Sequence, residues 1–157
     1  MSTEGKQTVT VTVGGETVTY EINVNPAGTV LEKSETITLA NGKFANNTIT
    51  WSGTSCSFVQ TKGTSSTQPN KNYIKAPRWY QKNVITFKAN TGYKITKVEV
   101  TCTSSDYATV LNNSTYSPAT TTATTSSAVV TITTAGDFTI TMSAQSRISS
   151  VVVYYTD

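Results

Sequence analysis

The chain has 157 residues, the size of one ordinary domain that can bury a core without a disulfide or metal staple. Charged residues make up 13%, about half the usual ~25%, and Thr, Ser and Asn fill the deficit. The formal charge of +3 comes from scattered Lys and Arg with no basic run, which argues against a nucleic-acid stripe.

Residues 7–24, "QTVTVTVGGETVTYEINV", alternate strictly, with Val9, Val11 and Val13 on one face and Thr8, Thr10 and Thr12 on the other. "GGET" supplies the turn of a hairpin, and "NPAG" (25–28) punctuates its end. The hairpin is either the first pair of the main sheet or a separate docking arm, residues 1–27, presenting Val9, Val11, Val13, Val18, Tyr20 and Ile22 to a partner. A lone hairpin is marginal in water, so it must pair with something. Residues 28–157 then form a β-sandwich domain.

Short strands follow in "ETITLA" (35–40), "NTITWS" (47–52) and "SCSFVQ" (55–60), with "NGK" as a turn between the first two. A polar stretch at 61–75 is long for a compact domain, and such loops are often functional. Further strands read from "RWYQ" (78–81), "VITFKA" (84–89) and "YKITKVEVTC" (93–102). A second polar tract, 116–128, is an exposed loop or an edge. "VVTITT" (129–134), "DFTITMS" (137–143) and "RISSVVVYYT" (147–156) close the chain. The consecutive apolar residues at 151–155 imply burial on both faces or a subunit contact, so a homo-oligomer is open. Helix formers are sparse, and almost no helix is expected.

"ITFKANTGYKITKVEV" (85–100) aligns without gaps on "FTITMSAQSRISSVVV" (138–153), placing Ile85, Phe87, Val98 and Val100 over Phe138, Ile140, Val151 and Val153. Both copies read as strand, short polar turn, strand. They predict two long hairpins in an antiparallel sandwich of roughly eight to ten strands, Ig-like or jelly-roll-like.

Signals for chemistry are few. The chain has no His, which closes the Ser-His-Asp route. Its nine acidic residues form no acid-rich motif and no calcium loop, so no catalytic residue, cofactor or metal is expected. Cys56 and Cys102 lack CxxC spacing and read as two small buried hydrophobes. No basic and apolar leader opens the chain and no ~20-residue apolar stretch occurs, so neither export nor membrane insertion is expected.

"KAPRWYQKNVITF" (75–87) is the richest segment. In a strand Arg78 and Tyr80 share one face and Trp79 takes the other. One reading puts an aromatic in the core beneath the Arg stem. The other exposes Trp79, with Tyr73, Tyr107 and Tyr116, as a platform for sugar rings or a protein partner, with Asn72, Asn112 and Asn113 adding hydrogen bonds. Trp51, alternating with Ile49, faces the core.

The run "APRWYQKNVITFKANTGYKITKVEVTC", with the later "VVTITTAGDFTITMSAQSRISSVVVYYT", resembles a β-sandwich domain that recurs in Bacteroidetes surface proteins and in structural proteins of phages infecting those bacteria. The likeness covers about residues 35 to 156. It implies that Arg78 and Tyr80 are scaffold and Trp79 the freer side chain. Secreted members usually carry signal or lipoprotein sequences, and none is read in this sequence, which shifts the expectation to the phage side. The expectation is therefore a phage virion protein: a capsid decoration, head-fibre or small tail component, made in the host cytoplasm and partnered by capsid or other virion proteins. The alternative is a non-catalytic carbohydrate-binding or adhesin module of a Bacteroidetes bacterium, at the cell surface and facing glycans.

Overall fold

The computed structural model describes residues 5–24 and 30–157, without the side chains of 23 and 24. The expected "NPAG" boundary lies outside them. The chain separates into two compact units, Met1–Leu31 and Glu32–Asp157.

In the first unit, β1 (Gly5–Val13) and β2 (Glu16–Val24) pair antiparallel in a two-stranded sheet of their own. Gly14 and Gly15 form the turn at φ +62° and +90°, a region L side chains rarely adopt. Register sets Val9 opposite Tyr20, Val11 opposite Val18 and Gln7 opposite Ile22. The period of two gathers these residues on one face. On the other face Lys6 meets Glu21 at 3.2 Å and the Thr12 and Thr17 hydroxyls meet at 3.1 Å.

The second unit is an all-β sandwich of two antiparallel sheets over one apolar core. The first sheet runs in the order β10 (Thr115–Ser117), β13 (Phe138–Thr141), β8 (Val84–Ala89), β6 (Cys56–Thr61), β5 (Thr48–Ser52), β4 (Lys43–Ala45). The second runs β11 (Thr122–Ser126), β12 (Val129–Thr133), β9 (Lys94–Cys102), β14 (Ser146–Thr156), β3 (Lys33–Thr36), with β7 (Arg78–Trp79) paired to the start of β14. These twelve strands exceed the eight to ten expected, because short edge strands such as β4, β7 and β10 carry too little periodicity to be read in advance. The polar tract at 116–128 supplies the edge strand β11.

One expectation is corrected. The 85–100 and 138–153 segments are not hairpins, because β8 and β9 lie in opposite sheets, as do β13 and β14. Each segment crosses the sandwich at its turn, and the two copies pair with each other. Ile85 faces Ile140 and Phe87 faces Phe138 in one sheet, while Val98 faces Val153 and Val100 faces Val151 in the other. The internal echo is therefore a local two-fold relation: equivalent residues exchange places across each strand pair. Alternation fixes which side chains point inward, but a sharp bend and a hairpin share the same alternation.

The first sheet's inner face carries a row of rings from adjacent strands. Trp51 stacks on Phe58 (4.7 Å between centroids), Phe58 on Phe87 (5.0 Å) and Phe87 on Phe138 (4.7 Å). The register puts each ring opposite the next. Such cross-strand aromatic pairs each contribute roughly 0.2–1 kcal/mol beyond Ala pairs. Trp51 is fully buried, as its alternation implied, and donates from Nε1 to the carbonyls of Leu39 (3.0 Å) and Ile74 (3.1 Å). The connection that "NGK" opens is extended by "FANN", and the tight turn between β4 and β5 is its Asn46–Asn47, both at positive φ. Asn tolerates that region through its short polar side chain.

Helix is nearly absent among the described residues, as expected, with one short exception. Residues Ser105–Asn112 form the helix α1, which buries Ala108 and Leu111. The Ser104 hydroxyl caps it by accepting from the Tyr107 N–H, and Asp106 sits in its first turn. Both are standard helix-start signals. A low helical composition does not exclude one capped helix of about two turns.

Candidate functional site

Asn83 organises the region around Arg78. It is fully buried, and its Oδ1 accepts from Gln60 Nε2 (2.8 Å) and from the Tyr80 N–H (3.1 Å). Its Nδ2 donates to the carbonyls of Lys62 and Thr67, both at 3.1 Å. One amide thus ties the polar 61–75 loop to the turn between β7 and β8. Gly63, at φ +56°, closes the same junction: a Cβ there would stand 2.4 Å from the Lys82 carbonyl oxygen. The long loop is held by buried hydrogen bonds, each of which would be costly to leave unmade.

These ties shape a groove of about 470 Å³. Thr64, Ser66 and Thr67 of the loop line one side, and Tyr80, Gln81, Lys82 and Gln145 also line it. The volume is in the ~300–1,000 Å³ range of small-ligand sites, although the lining is polar where most such sites are apolar.

Beside the groove, β7 and β14 run antiparallel with Trp79 opposite Ser146 and Arg78 opposite Arg147. Ile148 N–H donates to the Pro77 carbonyl (2.9 Å), extending the pairing. Alternation turns Trp79 and Ser146 inward, both fully buried, and Arg78 and Arg147 outward. The Arg78 guanidinium lies over the Tyr73 ring at 3.8 Å, and that of Arg147 lies 5.4 Å from the Tyr107 ring centre. The resulting row reads Tyr73, Arg78, Arg147, Tyr107. Ser146 Oγ donates to the Tyr107 carbonyl (3.0 Å) and Thr103 N–H to the Arg147 carbonyl (2.9 Å), which fixes α1 against β14. Tyr80, directly after β7, lines the groove. Burial raises its phenol pKa and Tyr73 adds to that, while the charges of Arg78 and Arg147 pull it back.

The expected platform is corrected at Trp79. The ring is 0% exposed, packs edge-on against Phe58 at 6.1 Å and belongs to the core, so it is not the freer side chain. With β7 at the sandwich margin, only one of its faces meets solvent, and the register gives that face to Arg78 and Tyr80. Tyr116 also turns inward: its hydroxyl donates to the Leu111 carbonyl (2.8 Å) and burial drives its pKa far up. Tyr73 and Tyr107 are half-buried and are the two predicted residues that flank a common surface. Asn72 lies with Tyr73, whereas Asn112 and Asn113 end α1, and Asn112 Oδ1 is buried without a hydrogen-bond partner among the described residues. Sequence reasoning missed Arg147 as a site residue. Its one signal was its place in the internal echo, where the gapless alignment of 85–100 on 138–153 sets it at the position of Lys94.

Of the predicted docking residues, Val9, Val11, Val18, Tyr20 and Ile22 are 41–56% exposed and Val13 is 74% exposed. Cys56 and Cys102 are buried free thiols. Burial, with Glu35 adding to it, pushes Cys56 up to about 12, and burial likewise raises Cys102. Neither is a ready nucleophile.

Comparison with protein families, with curated proteins and with solved structures gave no match for this chain.

Proposed function

We propose that this chain is a non-catalytic structural component of a phage particle, a capsid decoration, head-fibre or small tail protein. The hairpin is its docking arm, and the sandwich is the body it displays. The observation that carries the reading is the hairpin's single apolar face: Val9, Val11, Val18, Tyr20 and Ile22 stand together, largely exposed, on a two-stranded sheet. Surface apolar residues scattered singly need no explanation, but a contiguous strip backed by a polar face does. A partner virion protein that extends the sheet edge and covers this strip would satisfy both needs of an isolated hairpin. The lack of His and the scattered carboxylates support a role without catalysis.

The test uses full-length protein and particles from the source culture, banded by density after nuclease treatment. Wild type is expected to co-migrate with the major capsid protein at a fixed ratio. Val11→Lys with Tyr20→Lys is expected to leave the particles while the sandwich melts unchanged. Wild type absent from particles would sink the virion reading. A double variant that still decorates would sink the docking arm alone. The other reading, a carbohydrate-binding or adhesin module, needs a ligand surface that does not centre on Trp79.

A further inference from the structure

We propose that the Arg78–Arg147 pair and the adjoining groove bind a saccharide bearing a carboxylate or sulfate group. This goes beyond docking and is independent of the hairpin.

The first observation is an unfavourable arrangement that the fold maintains. Arg78 and Arg147 are register partners on neighbouring strands and face the same side. Side chains so placed have Cβ atoms about 4.5–5.5 Å apart, and like charges directly opposite destabilise a sheet. Among the described residues neither guanidinium donates a hydrogen bond or meets a carboxylate; the ion pairs found there are Lys6–Glu21, Lys33–Asp157 and Lys97–Glu99. An anion bound between the two would turn the repulsion into attraction.

The second observation is how the two groups are held. Arg78 is stacked on Tyr73 and Arg147 lies near Tyr107, which orients the guanidiniums while leaving their N–H edges unspent. A guanidinium edge matches a planar carboxylate or a sulfate face with two parallel hydrogen bonds. Pre-orienting the fork lowers the entropy lost on binding.

The third observation fixes the rest of the ligand. Tyr80 joins the pair to a groove whose other walls are hydroxyls and amides, from Thr64, Ser66, Thr67, Gln81 and Gln145, with Lys82 its single charge. Such walls suit an uncharged polyol beyond the anionic group. A nucleic acid would instead require a line of cations along successive phosphates.

The experiment is an NMR titration of full-length, isotope-labelled protein, following Arg78 and Arg147 side-chain signals and the amides of 64–67 and 144–147. The probes are a chondroitin sulfate hexasaccharide, trigalacturonate, cellotriose, sodium sulfate and a thymidine oligonucleotide. At least one acidic saccharide is expected to shift both sets of signals at millimolar or lower concentration, with cellotriose at least tenfold weaker. Arg147→Gln and Arg78→Gln are each expected to weaken binding at least tenfold, and Arg147→Lys severalfold because it keeps charge but loses the fork. Lys88→Gln, an exposed control on β8, is expected to bind as wild type. Melting of each variant by circular dichroism confirms the fold, and Arg147→Gln is expected to melt no lower than wild type because repulsion is relieved. Silence from both acidic saccharides overturns the proposal. So does an equal response to sodium sulfate, tighter binding of the oligonucleotide, or binding that survives both Arg→Gln changes.

Discussion

The two tryptophans of the chain are both fully buried, yet replacing each by Phe should have very different effects. Trp51 Nε1 donates to two carbonyls, those of Leu39 and Ile74. Trp79 Nε1 is buried and has no hydrogen-bond partner among the described residues. Shrinking either indole to a phenyl leaves a void costing roughly 1–2 kcal/mol, a share of the ~3–5 kcal/mol for truncation to Ala. Trp51→Phe also takes the indole donor from the Ile74 carbonyl, at about 1 kcal/mol, while the Leu39 carbonyl keeps the Gly42 N–H at 3.2 Å. Trp79→Phe instead removes a buried donor whose desolvation costs about 1–3 kcal/mol, offsetting its void. The expected gap is about 3 kcal/mol, with Trp79→Phe near neutral. Against a total stability of ~5–15 kcal/mol that is easily resolved, and it corresponds to roughly 10 °C in melting temperature. Urea unfolding followed by circular dichroism and by fluorescence of the remaining tryptophan measures both variants on one scale. Equal losses would refute the reasoning, because the two indole N–H groups would then be equally satisfied.

Three further outcomes are expected. Glu35 accepts from the N–H groups of Thr54 and Ser55 and from the Ser55 hydroxyl; burial raises its pKa, but these bonds outweigh it and hold it below its ordinary value of 4.5. Its contribution is thus fully present above about pH 4.5 and lost as pH falls through the lower folded value, so the stability gap between wild type and Glu35→Gln should close in acid titration. The Cys56 thiol, raised to about 12 from 9.0, contributes stability that is present below pH 9 and lost as pH rises toward 12. Both thiols should resist an aromatic disulfide reagent at pH 8 and react at once in denaturant. Finally, Gly63→Ala should cost ~2 kcal/mol or more, from strain at positive φ plus the collision with Lys82, and should loosen the groove in hydrogen exchange. Gly92→Ala, also at positive φ but with open space around it, should cost about half as much.

Much of the architecture was legible in the chain. Alternation in residues 7–24 determined a hairpin with one apolar face, because a period of two leaves no other way to segregate Val from Thr. The same rule placed Ile49 and Trp51 inward together. The echo between 85–100 and 138–153 announced related strands, but alternation is blind to whether a turn folds back within a sheet or crosses to the other. Only the tertiary structure decided that each copy spans the sandwich and pairs with its counterpart. It also decided the fate of "RWYQ". The sequence determined that Trp79 and Arg78 point opposite ways; which of them meets water depended on β14 lying beside β7. That pairing sets Arg147 against Arg78, and no local pattern can foretell it, since the two strands meet through long-range register. Tyr107 reached the same surface through a short helix announced by a capping serine and an acidic first turn. The physical reason is common to all these cases. Backbone periodicity is local and written in the residues, whereas a site is made where distant segments are brought side by side by the burial of their opposite faces.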